Sequence, residues 1–481
     1  MNKRTKIIIT LGPASSESKT LSNLINAGVD LVRLNFSHGT IEQRKKQFKT
    51  IKQCAQQQNK NIGILADLQG PKIRITSFAH TAVELKAGDE FILDLDCDSN
   101  SGTKQKINID YPNLINEVSV EQMLCLDDGK IVLQIQSITS RTIVTKIITG
   151  GVLSSNKGIN LVGGGLSAGA ITEKDRKDLQ AACDLGVDYI ALSFVKDSHD
   201  INLAKNLIKQ CGSTAQILTK IERVEAVENI EEIINLSDGI MVARGDLAIE
   251  VGDAEVPAIQ KKLIHMAKQA AKPVIVATQM MESMISSPTP TRAEISDVAN
   301  AVLDGADAVM LSAESAVGEY PVLTVEAMVR TCMSVEQHKN LQFKTKIPSC
   351  LSRVDQAIAT ATVYTANKLS IKAIVALTES GMTPLWMSNL QTNIPICALS
   401  RHSRTLGLMS LYRGVCPVYF DVTKVSHSQV NIAAIKALKQ QSMVTDGDLV
   451  IITKGDYLGI EGGSNAMKII TVGDLKEPKE L

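Results

Sequence analysis

The sequence carries no excess of charge of either sign. Its 51 lysines and arginines balance 51 aspartates and glutamates, so the formal net charge is zero. Without a basic excess we expect no nucleic-acid partner, and without an acidic excess we expect no solvating tail. A local anion-binding site would not show in such a sum, so the balance leaves a small charged site open.

The chain also lacks paired cysteines and long apolar runs. Its nine cysteines include no Cys-x-x-Cys pair and no cysteine–histidine cluster with zinc spacing, which predicts reduced thiols in a cytosolic protein. The apolar run at residues 7–9 is too short for a signal peptide, and no run approaches the length of a membrane span. We therefore expect a soluble, cytoplasmic protein with no membrane partner.

What is present is a long chain of ordinary globular composition. It has 481 residues, of which 44% are hydrophobic and 21% charged. That length is too great for one hydrophobic core, so two or three domains are expected.

Apolar runs alternate with helical patterns along most of the chain. The runs are nearly continuous in apolar residues, as in parallel strands buried on both faces. Eight such strands, each followed by a helix, predict a (β/α)8 TIM barrel in an α/β protein. A doubly wound sheet is the alternative, but no glycine-rich first turn supports it. The predicted strands are 6–10, 30–36, 61–67, 188–195, 216–222, 239–246, 272–278 and 308–312.

The alternation is interrupted by short runs without helix between residues 72 and 162. Asp128-Gly129 predicts a hairpin turn within them. We therefore expect a small inserted β-barrel domain, with the glycines at 163–165 as its return hinge or, alternatively, a phosphate loop. A second α/β unit follows a linker near residue 340. The predicted domains are the barrel (1–70 and 168–340), the inserted β-barrel domain (71–167) and a C-terminal α/β domain (350–481).

Polar side chains gather where the predicted barrel strands end. Lys220 and Glu222 point to the same face of one strand, because side chains alternate along it. The pair is either a structural ion pair or the holder of a metal and a transferring anion. Active sites of such barrels lie at these strand ends, which favours the second interpretation. Other strand ends carry Arg33, Asn35, Ser37, Asp67, Asp246, Thr278, Ser312 and Glu314.

These residue types suit phosphoryl transfer. The two carboxylates Glu222 and Asp246 suit Mg²⁺, which takes few protein ligands and keeps water or substrate oxygens. Lys220 and Arg33 suit the charge that gathers on a phosphoryl group. No Walker loop is present, so any nucleotide must be held differently. His38 is a candidate general base, although a capping or nucleotide-contacting role is favoured.

Six longer stretches resemble the pyruvate kinase family, in its bacterial type, over nearly the whole chain. The resemblance implies Mg²⁺-dependent phosphoryl transfer from phosphoenolpyruvate to ADP, giving pyruvate and ATP in the final step of glycolysis. It also implies allosteric activation and a homotetramer. The stretches are Arg33–Gly39, Asp67–Arg74, Lys220–Glu222, Met241–Leu247, Ala277–Met284 and Met310–Glu314.

The resemblance assigns roles by position. It implies that Glu222 and Asp246 bind Mg²⁺, with Mn²⁺ as an alternative. Lys220 would stabilise the moving phosphoryl group, and Arg33 would contact the phosphate of phosphoenolpyruvate. Four positions resemble nucleotide contacts, two of them in or at the edge of the inserted domain, which should act as a lid. These four are Asn35, His38, Arg74 and Lys157.

The rest of the substrate site follows from the same resemblance. The backbone of Gly245 and the side chain of Thr278 would contact the carboxylate end of the substrate, beside Asp246. Thr278 would also belong to the path that delivers a proton to the enolate. The catalytic set that the resemblance implies is therefore Lys220, Thr278 and Arg33.

Lys72 departs from the pattern of K⁺-requiring members, which carry a Glu at that position. An ammonium group near the monovalent-cation ligands could supply the positive charge itself, so we expect no requirement for K⁺. The alternative is a surface lysine on a loop. The positions that match the K⁺ ligands are Asn35, Ser37, Asp67 and the carbonyl of Leu68.

A strand-to-helix turn in the C-terminal domain resembles the family's effector phosphate loop. Ordinary helix capping is the alternative for its hydroxyls. The segment 453–464 lacks the Trp/Arg-bearing loop of eukaryotic forms regulated by fructose 1,6-bisphosphate, so we expect AMP or a sugar monophosphate as effector. The turn residues are Thr378, Ser380, Gly381 and Thr383.

Two other classes of protein compete with this interpretation. A Mg²⁺-dependent barrel lyase or aldolase acting on pyruvate-type enolates would share the metal and the arginine, with Lys220 as a Schiff-base lysine in one variant. It would not need a nucleotide lid carrying Lys157. A catalytically dead effector-binding protein would have lost Lys220, Glu222 or Asp246, and all three are present.

Overall fold

The first barrel strands alternate with helices as predicted. A computed structural model describes residues 3–338, 351–390, 392–456 and 462–474. The second helix begins where Thr40 and Gln43 form a capping box, which satisfies backbone N–H groups of its first turn. The elements are β1 (Lys6–Thr10), α1 (Ser18–Ala27), β2 (Leu31–Asn35), α2 (Ile41–Gln57) and β3 (Gly63–Asp67).

The inserted domain, here called the β domain, forms a two-stranded and a six-stranded sheet around its own apolar core. The predicted hairpin is present, and Asp128 and Gly129 adopt φ values of 56° and 88° at its turn. A four-residue helix was not predicted, because it is too short to show a period. The elements are β4 (Ala82–Leu85), β5 (Glu90–Asp94), β6 (Lys106–Ile107), α3 (Leu114–Glu117), β7 (Met123–Leu126), β8 (Ile131–Ile138), β9 (Thr142–Thr149), β10 (Gly151–Ser154) and β11 (Ile159–Leu161).

The chain then returns to the barrel. Capping boxes at Thr172 and Thr291 begin two of its helices, as their sequences predict. The elements are α4 (Glu173–Leu185), β12 (Tyr189–Leu192), α5 (Ser198–Gln210), β13 (Gln216–Ile221), α6 (Val224–Glu228), α7 (Ile230–Leu236), β14 (Gly239–Ala243), α8 (Arg244–Val251), α9 (Val256–Gln269), β15 (Val274–Ala277), α10 (Arg292–Asp304), β16 (Ala308–Leu311), α11 (Ala313–Ala316) and α12 (Pro321–Gln337).

The eight barrel strands close on themselves. Their order is β1-β16-β15-β14-β13-β12-β3-β2, and every neighbouring pair is parallel. The predicted (β/α)8 barrel is confirmed, and the doubly wound alternative is wrong. The carboxyl ends of the strands therefore meet at one mouth, which is where the candidate site lies.

Two strands stop three residues earlier than predicted, and four others stop one residue earlier. The run from Gly239 ends as a strand at Ala243, and the chain turns directly into α8, so Asp246 lies in the first turn of a helix. The run from Asp188 ends as a strand at Leu192. Phe194 and Val195 continue the apolar run past Leu192, so composition alone could not mark that end. Past Ala243 the chain continues with Arg244 and Gly245, which already belong to α8.

The C-terminal domain is a five-stranded sheet in the order β19-β18-β17-β20-β21, parallel except for its last strand. The predicted second α/β unit is therefore present. The elements are α13 (Val354–Ala366), β17 (Ile371–Leu377), α14 (Met382–Asn389), β18 (Ile396–Ser400), α15 (Ser403–Met409), β19 (Val415–Tyr419), α16 (Val430–Gln440), β20 (Leu449–Gly455) and β21 (Ser464–Thr471).

The barrel interior packs against the C-terminal domain. Inward-facing barrel side chains such as Ile8 and Tyr189 share one apolar cluster with residues of α15. Tyr189 donates a hydrogen bond from its hydroxyl to the carbonyl of Leu408 at 2.7 Å. Gly407 approaches Asp188 so closely that a Cβ there would lie 2.1 Å from the carboxylate. The small domain therefore closes the end of the barrel opposite the candidate site.

We propose that the domains divide at residues 70/71 and 167/168. Strand β3 ends at Asp67, the first bridge of the β domain is at Arg74, and α4 begins at Glu173. The predicted boundary between 340 and 350 falls at residues 339–350, outside the described part of the chain. Within the described ranges, no helix is long and apolar enough to cross a membrane.

Candidate active site

Lys220 is the centre of a buried charge cluster at the barrel mouth. Its ammonium lies 2.7 Å from Oε1 of Glu222 and 3.5 Å from Oδ1 of Asp67, and its side chain is 12% exposed. It also donates a hydrogen bond to Oγ of Ser193 at 2.8 Å. Lys220 and Glu222 therefore face the same way, as the alternation of β13 predicts, and Asp67 from β3 joins them.

Arg33 completes the cluster on the other side of Asp67. Its Nε donates to Oδ2 of Asp67 at 2.6 Å, and its Nη1 donates to Oγ1 of Thr10 at 2.9 Å. Asp67 thus stands between two cations, Lys220 and Arg33. The two basic groups that suit a transferring phosphoryl group are held apart from each other by one carboxylate.

The cluster keeps its central groups charged. Burial works to lower the pKa of Lys220, but Asp67 and Glu222 outweigh it and raise that pKa. Burial works to raise the pKa of Asp67, but Lys220 and Arg33 outweigh it and lower that pKa. At neutral pH an ammonium and a carboxylate therefore face each other in a site nearly closed to water, where their charges act strongly.

Glu222 has the environment of a metal ligand. Its Oε2 accepts a hydrogen bond from the backbone N–H of Phe194 at 2.7 Å. Its Oε1 forms an ion pair with the ammonium of Lys220 at 2.7 Å and accepts no other hydrogen bond among the described residues. Burial raises the pKa of Glu222 and outweighs the opposing effect of Lys220, and the nearby charge of Asp246 adds to the rise, so a second cation would stabilise the charged carboxylate.

Asp246 supplies the second carboxylate, from the first turn of α8. Two carboxylates with room for substrate oxygens and water match the ligand preference of Mg²⁺. Within the described residues no group of three or more His, Cys, Asp or Glu side chains could hold a metal ion. The residues therefore fit a metal that shares few protein ligands and fit poorly a fully enclosed structural metal.

Thr278 lies in a strained turn that follows β15. The φ of Thr278 is 71°, which is rare for a β-branched residue and costs conformational energy. The next residue, Gln279, also has a positive φ, of 54°. Oγ1 of Thr278 accepts from the N–H of Gly245 at 2.9 Å and donates to the carbonyl of Ala277 at 2.6 Å. Arg244 donates to the Thr278 carbonyl at 2.6 Å and fixes the turn. The hydroxyl is thereby aimed beside the first turn of α8.

The ammonium group of Lys72 contacts carboxylates other than that of Asp67. It donates to Oδ1 of Asp246 at 3.1 Å and to Oδ1 of Asp128 at 3.4 Å. Among the described residues it forms no ion pair with Asp67. No described ion pair joins Lys72 to the four K⁺-type positions, so the expectation that it lies near them stays a prediction.

The four K⁺-type positions are otherwise engaged with each other and their neighbours. Asn35 and Asp67 are register partners on β2 and β3. Oδ1 of Asn35 accepts from the N–H of Ser37 at 3.1 Å. The carbonyl of Leu68 accepts from Oγ of Ser193 at 2.7 Å. The positions therefore form one patch beside the cluster around Lys220.

The predicted nucleotide positions are partly brought together. Burial, Arg74 and other cations lower the pKa of His38, so it is neutral at physiological pH and lies within the field of Arg74. Arg74 donates to the carbonyl of Asn156 at 2.9 Å, next to Lys157. Lys157 is instead paired with Asp127 at 2.6 Å. His38, Arg74 and Lys157 thus lie along the edge between the barrel and the β domain.

Comparisons with known proteins decide the family. A family model described as "Pyruvate kinase, barrel domain" matches residues 2–325, and one described as "Pyruvate kinase, alpha/beta domain" matches residues 356–470. The chain belongs to the pyruvate kinase family. It is therefore an enzyme of the phosphotransferase class, and the barrel lyase or aldolase is not supported.

Curated members of the pyruvate kinase family align with almost the whole chain. "Pyruvate kinase" of Buchnera aphidicola subsp. Acyrthosiphon pisum is 47% identical over 98% of this chain and 99% of its own length. "Pyruvate kinase II" of Salmonella typhimurium is 46% identical over 98% of this chain and 99% of its own. "Pyruvate kinase" of Geobacillus stearothermophilus is 39% identical over 99% of this chain and 81% of its own.

The candidate effector turn of this pyruvate kinase family member is held by two hydrogen bonds of its hydroxyl groups. Oγ1 of Thr378 accepts from the N–H of Gly381 at 2.9 Å, and Gly381 has φ 84°. Oγ1 of Thr383 donates to Oγ of Ser464 at 2.9 Å. Ser380 lines the same cavity, beside two cationic side chains, Arg401 and Lys454. Glu379 lines that cavity too and pairs with Arg401 at 3.1 Å, and the N-cap of α14, Gly381, has no side-chain capping bond. The turn therefore lies beside a cavity with charges of both signs, and residues 457–461 of the predicted distal segment lie outside the described part.

Sequence reasoning missed four contributors to the site. Ser193 and Phe194 follow β12 and hold Lys220 and Glu222, and Phe194 has φ 56°. Thr10 orients Arg33, and Arg244 orients Thr278. Ser193 and Thr10 could have been found by applying the strand-end rule to every predicted strand. The backbone role of Phe194 has no signal in the sequence.

Proposed function

We propose that this enzyme transfers the phosphoryl group of phosphoenolpyruvate to ADP and protonates the resulting enolate, giving pyruvate and ATP in the final step of glycolysis. The observation that carries the proposal is the position of Lys220, between Asp67 and Glu222 at the mouth of the barrel. A buried ammonium that stays charged stabilises an anionic group in transit between two oxygens.

Glu222 and Asp246 would hold Mg²⁺, with Mn²⁺ as an alternative. The buried Oε1 of Glu222, whose one described contact is the ion pair with Lys220, supports this assignment. A divalent cation bound there would neutralise substrate oxygens and polarise them. Asp246 would also be close to the substrate, because Gly245 beside it contacts Thr278, which we assign to the carboxylate end of the substrate.

Arg33 would bind the phosphate of the substrate, since its guanidinium is fixed by Asp67 and Thr10. The N–H of Gly245 and the hydroxyl of Thr278 would bind the carboxylate end. Thr278 would then lie on the path of the proton that reaches the enolate, because its hydroxyl both accepts and donates hydrogen bonds.

The nucleotide would lie between the barrel and the β domain, which we propose acts as a lid. A neutral His38 can contact a base or ribose, and cationic side chains from the β domain can contact phosphates. The proposed nucleotide positions are Asn35, His38, Arg74 and Lys157.

We also propose that the enzyme works without K⁺. Burial lowers the pKa of Lys72, but Asp246 and Asp128 outweigh it and raise that pKa, so the ammonium is a permanent charge at the mouth. It contacts Asp246, one of the two carboxylates that we assign to the metal. From that position the charge of the Lys72 ammonium would act on the carboxylates at the barrel mouth.

The remaining proposals concern regulation and assembly. We propose a cytoplasmic homotetramer whose effector, AMP or a sugar monophosphate, binds at Thr378, Ser380, Gly381 and Thr383. The cationic Arg401 and Lys454 in the same cavity support a phosphate ligand. A thermal-shift panel of AMP and sugar monophosphates tests this, and no shift with any of them would contradict it. Sedimentation velocity tests the tetramer.

The activity itself is tested by a coupled assay for pyruvate with phosphoenolpyruvate and ADP. Product should form with Mg²⁺ and stop when the metal is chelated. A protein that makes pyruvate from other substrates without ADP would instead be a lyase. Borohydride trapping with pyruvate would reveal a Schiff base on Lys220, and we expect no adduct because that ammonium stays protonated.

A further inference from the structure

Two half-buried cysteines meet on the outside of the barrel. Cys183 lies in the last turn of α4 and Cys211 directly follows α5. Their thiols are within hydrogen-bonding range of each other. Cys211 also donates to Oε1 of Gln180 at 3.0 Å, and Gln180 lies one turn before Cys183 on the same helix face. Two contacts between α4 and the residue after α5, Cys183 with Cys211 and Gln180 with Cys211, therefore place the two sulfur atoms close to each other.

The other described cysteines offer no comparable pair. Cys416 is half-buried, but its register partner on the neighbouring strand, Cys397, is 1% exposed and enclosed by the core. Within the described ranges, the Cys183–Cys211 pair alone brings together two thiols that solvent reaches. The remaining described cysteines are all buried, at Cys54, Cys97, Cys125 and Cys332.

We propose that Cys183 and Cys211 form a dithiol site that a hydroperoxide oxidises reversibly to a disulfide. A disulfide needs Cα atoms within about 7 Å and side chains that face each other. The contacts just described satisfy the second condition. The turn after α5 can supply small adjustments, because Gly212 has φ 65° and nothing lies within 4 Å of where its Cβ would be.

Oxidation of the two thiols to a disulfide needs one oxidant, the hydroperoxide, and its atoms and electrons balance. The sulfur of Cys211 attacks one peroxide oxygen, the O–O bond breaks, and a sulfenic acid forms while water or an alcohol leaves. The sulfur of Cys183 then attacks the sulfenic sulfur, the S–S bond forms, and the hydroxyl leaves as a second water. Two thiols lose two hydrogens and two electrons, which reduce the peroxide.

Cys211 is the first nucleophile in this order. Burial, with a smaller contribution from Cys211, raises the pKa of the Cys183 thiol to about 11, so little of it is thiolate at neutral pH. Ser213 also hydrogen-bonds Cys183 and holds it beside the turn. Cys183 is thus placed as the resolving thiol, and the bond should be reversed by an ordinary dithiol reductant.

The dithiol lies away from the proposed catalytic groups. The other end of α4 touches the site region, where Asp175 accepts a hydrogen bond from the N–H of Gly70 at 3.1 Å. Cys183 lies eight residues further along that helix, about 12 Å by the helical rise. Cysteine substitutions here should therefore leave phosphoryl transfer within about two-fold of the parent enzyme, because no proposed substrate or metal contact is lost.

The test is a mass measurement of the full chain before and after hydrogen peroxide, with remaining thiols alkylated. The parent enzyme should lose the mass of two hydrogen atoms and two alkylation sites, and peptide mapping should find Cys183 joined to Cys211. Dithiothreitol should restore both thiols. The oxidised form should also melt a few degrees higher, since the bond ties the ends of α4 and α5.

Three variants sharpen the result. Cys183→Ser should leave Cys211 as a sulfenic acid that dimedone traps, and Cys211→Ser should remove peroxide reactivity at this site. Cys416→Ser, which changes the other half-buried thiol, should oxidise like the parent. Absence of a linked Cys183–Cys211 peptide in the parent enzyme would overturn the proposal, and so would loss of that peptide in Cys416→Ser. Peptide mapping uses the parent enzyme alone, so its result does not depend on whether a variant folds.

Discussion

Lys72 of the connection into the β domain donates a hydrogen bond to Oδ1 of Asp246 at 3.1 Å. The two side chains are 20% and 22% exposed, so the contact is partly shielded from solvent. Asp246 is one of the two carboxylates that we assign to the metal. A movement of the β domain therefore changes the charge beside that carboxylate, which couples the proposed lid to the proposed metal site.

Lys72→Glu should create a dependence on K⁺. The change removes a cation and places an anion beside Asp246, so without K⁺ the activity should fall by about 10- to 100-fold. Adding KCl should restore much of it, while the parent enzyme should respond little. The measurement is the coupled assay in K⁺-free buffer with and without KCl.

Lys146→Glu is the matched control for that experiment. Lys146 belongs to the same domain and its side chain is exposed, so its charge is screened. It should behave like the parent enzyme. A strong activation of the parent enzyme by KCl would contradict the proposed role of Lys72.

The hydroxyl of Thr278 should be needed for turnover. Thr278→Ala removes the group that accepts from Gly245, and kcat should fall on the order of 10²-fold, as for loss of a group that positions or transfers a proton. Thr278→Ser keeps the hydroxyl and should stay within several-fold. Equal activities of the two variants would show that the hydroxyl takes no part.

Asp188 should make stability depend on pH at the seam between barrel and C-terminal domain. Burial raises its pKa to about 6 from an ordinary value of 3.8, which corresponds to roughly 3 kcal/mol between the protonation states. Because the folded-state pKa is the higher one, the contribution of Asp188 to stability is full below pH 4 and is lost as pH rises through 6.

Asp188→Asn should therefore stabilise the enzyme at pH 8 and change little at pH 4. The asparagine oxygen can still accept from the N–H of Ile64, as the carboxylate does at 2.8 Å. The measurement is Tm of both proteins across that range. The exposed Asp253→Asn should show no such trend, and a difference between Asp188→Asn and parent that does not grow with pH would rule out the titration of Asp188.

Glu225 should hold the return hinge of the β domain. It accepts from the N–H of Gly165 at 2.8 Å and pairs with Arg223, which also donates to the carbonyl of Leu166 at 2.6 Å. Glu225→Ala should speed hydrogen exchange at 163–166 and raise KM for ADP several-fold, because the lid is placed less well. The exposed Glu228→Ala on the same helix should do neither. Unchanged exchange in Glu225→Ala would remove Glu225 from this role.

Much of the barrel could be predicted because local signals agree with the global fold. Capping boxes begin α4 and α10, and the alternation in β13 places Lys220 and Glu222 on one face. The helical position of Asp246 could not be predicted, since α8 has only eight residues and follows a strand without a break. Periodicity is too weak a signal over such a length.

Contacts between distant parts of the chain were the hardest to predict. The Lys72–Asp246 contact spans 174 residues and joins two domains. Its position depends on how the β domain rests on the barrel, and no local pattern encodes that geometry. The positive φ of Phe194 and Thr278 likewise comes from tertiary packing that outweighs their own backbone preference.

Lys220→Met tests the central claim most directly. The change keeps the length of the side chain and removes the ammonium between Asp67 and Glu222. Phosphoryl transfer from phosphoenolpyruvate to ADP should fall by roughly 10³-fold or more, because the charge that stabilises the moving group is lost. Exchange of the methyl protons of pyruvate with solvent, followed by NMR, should largely persist, since Thr278 and the carboxylates are intact. Near-full phosphoryl transfer by Lys220→Met would contradict the assignment.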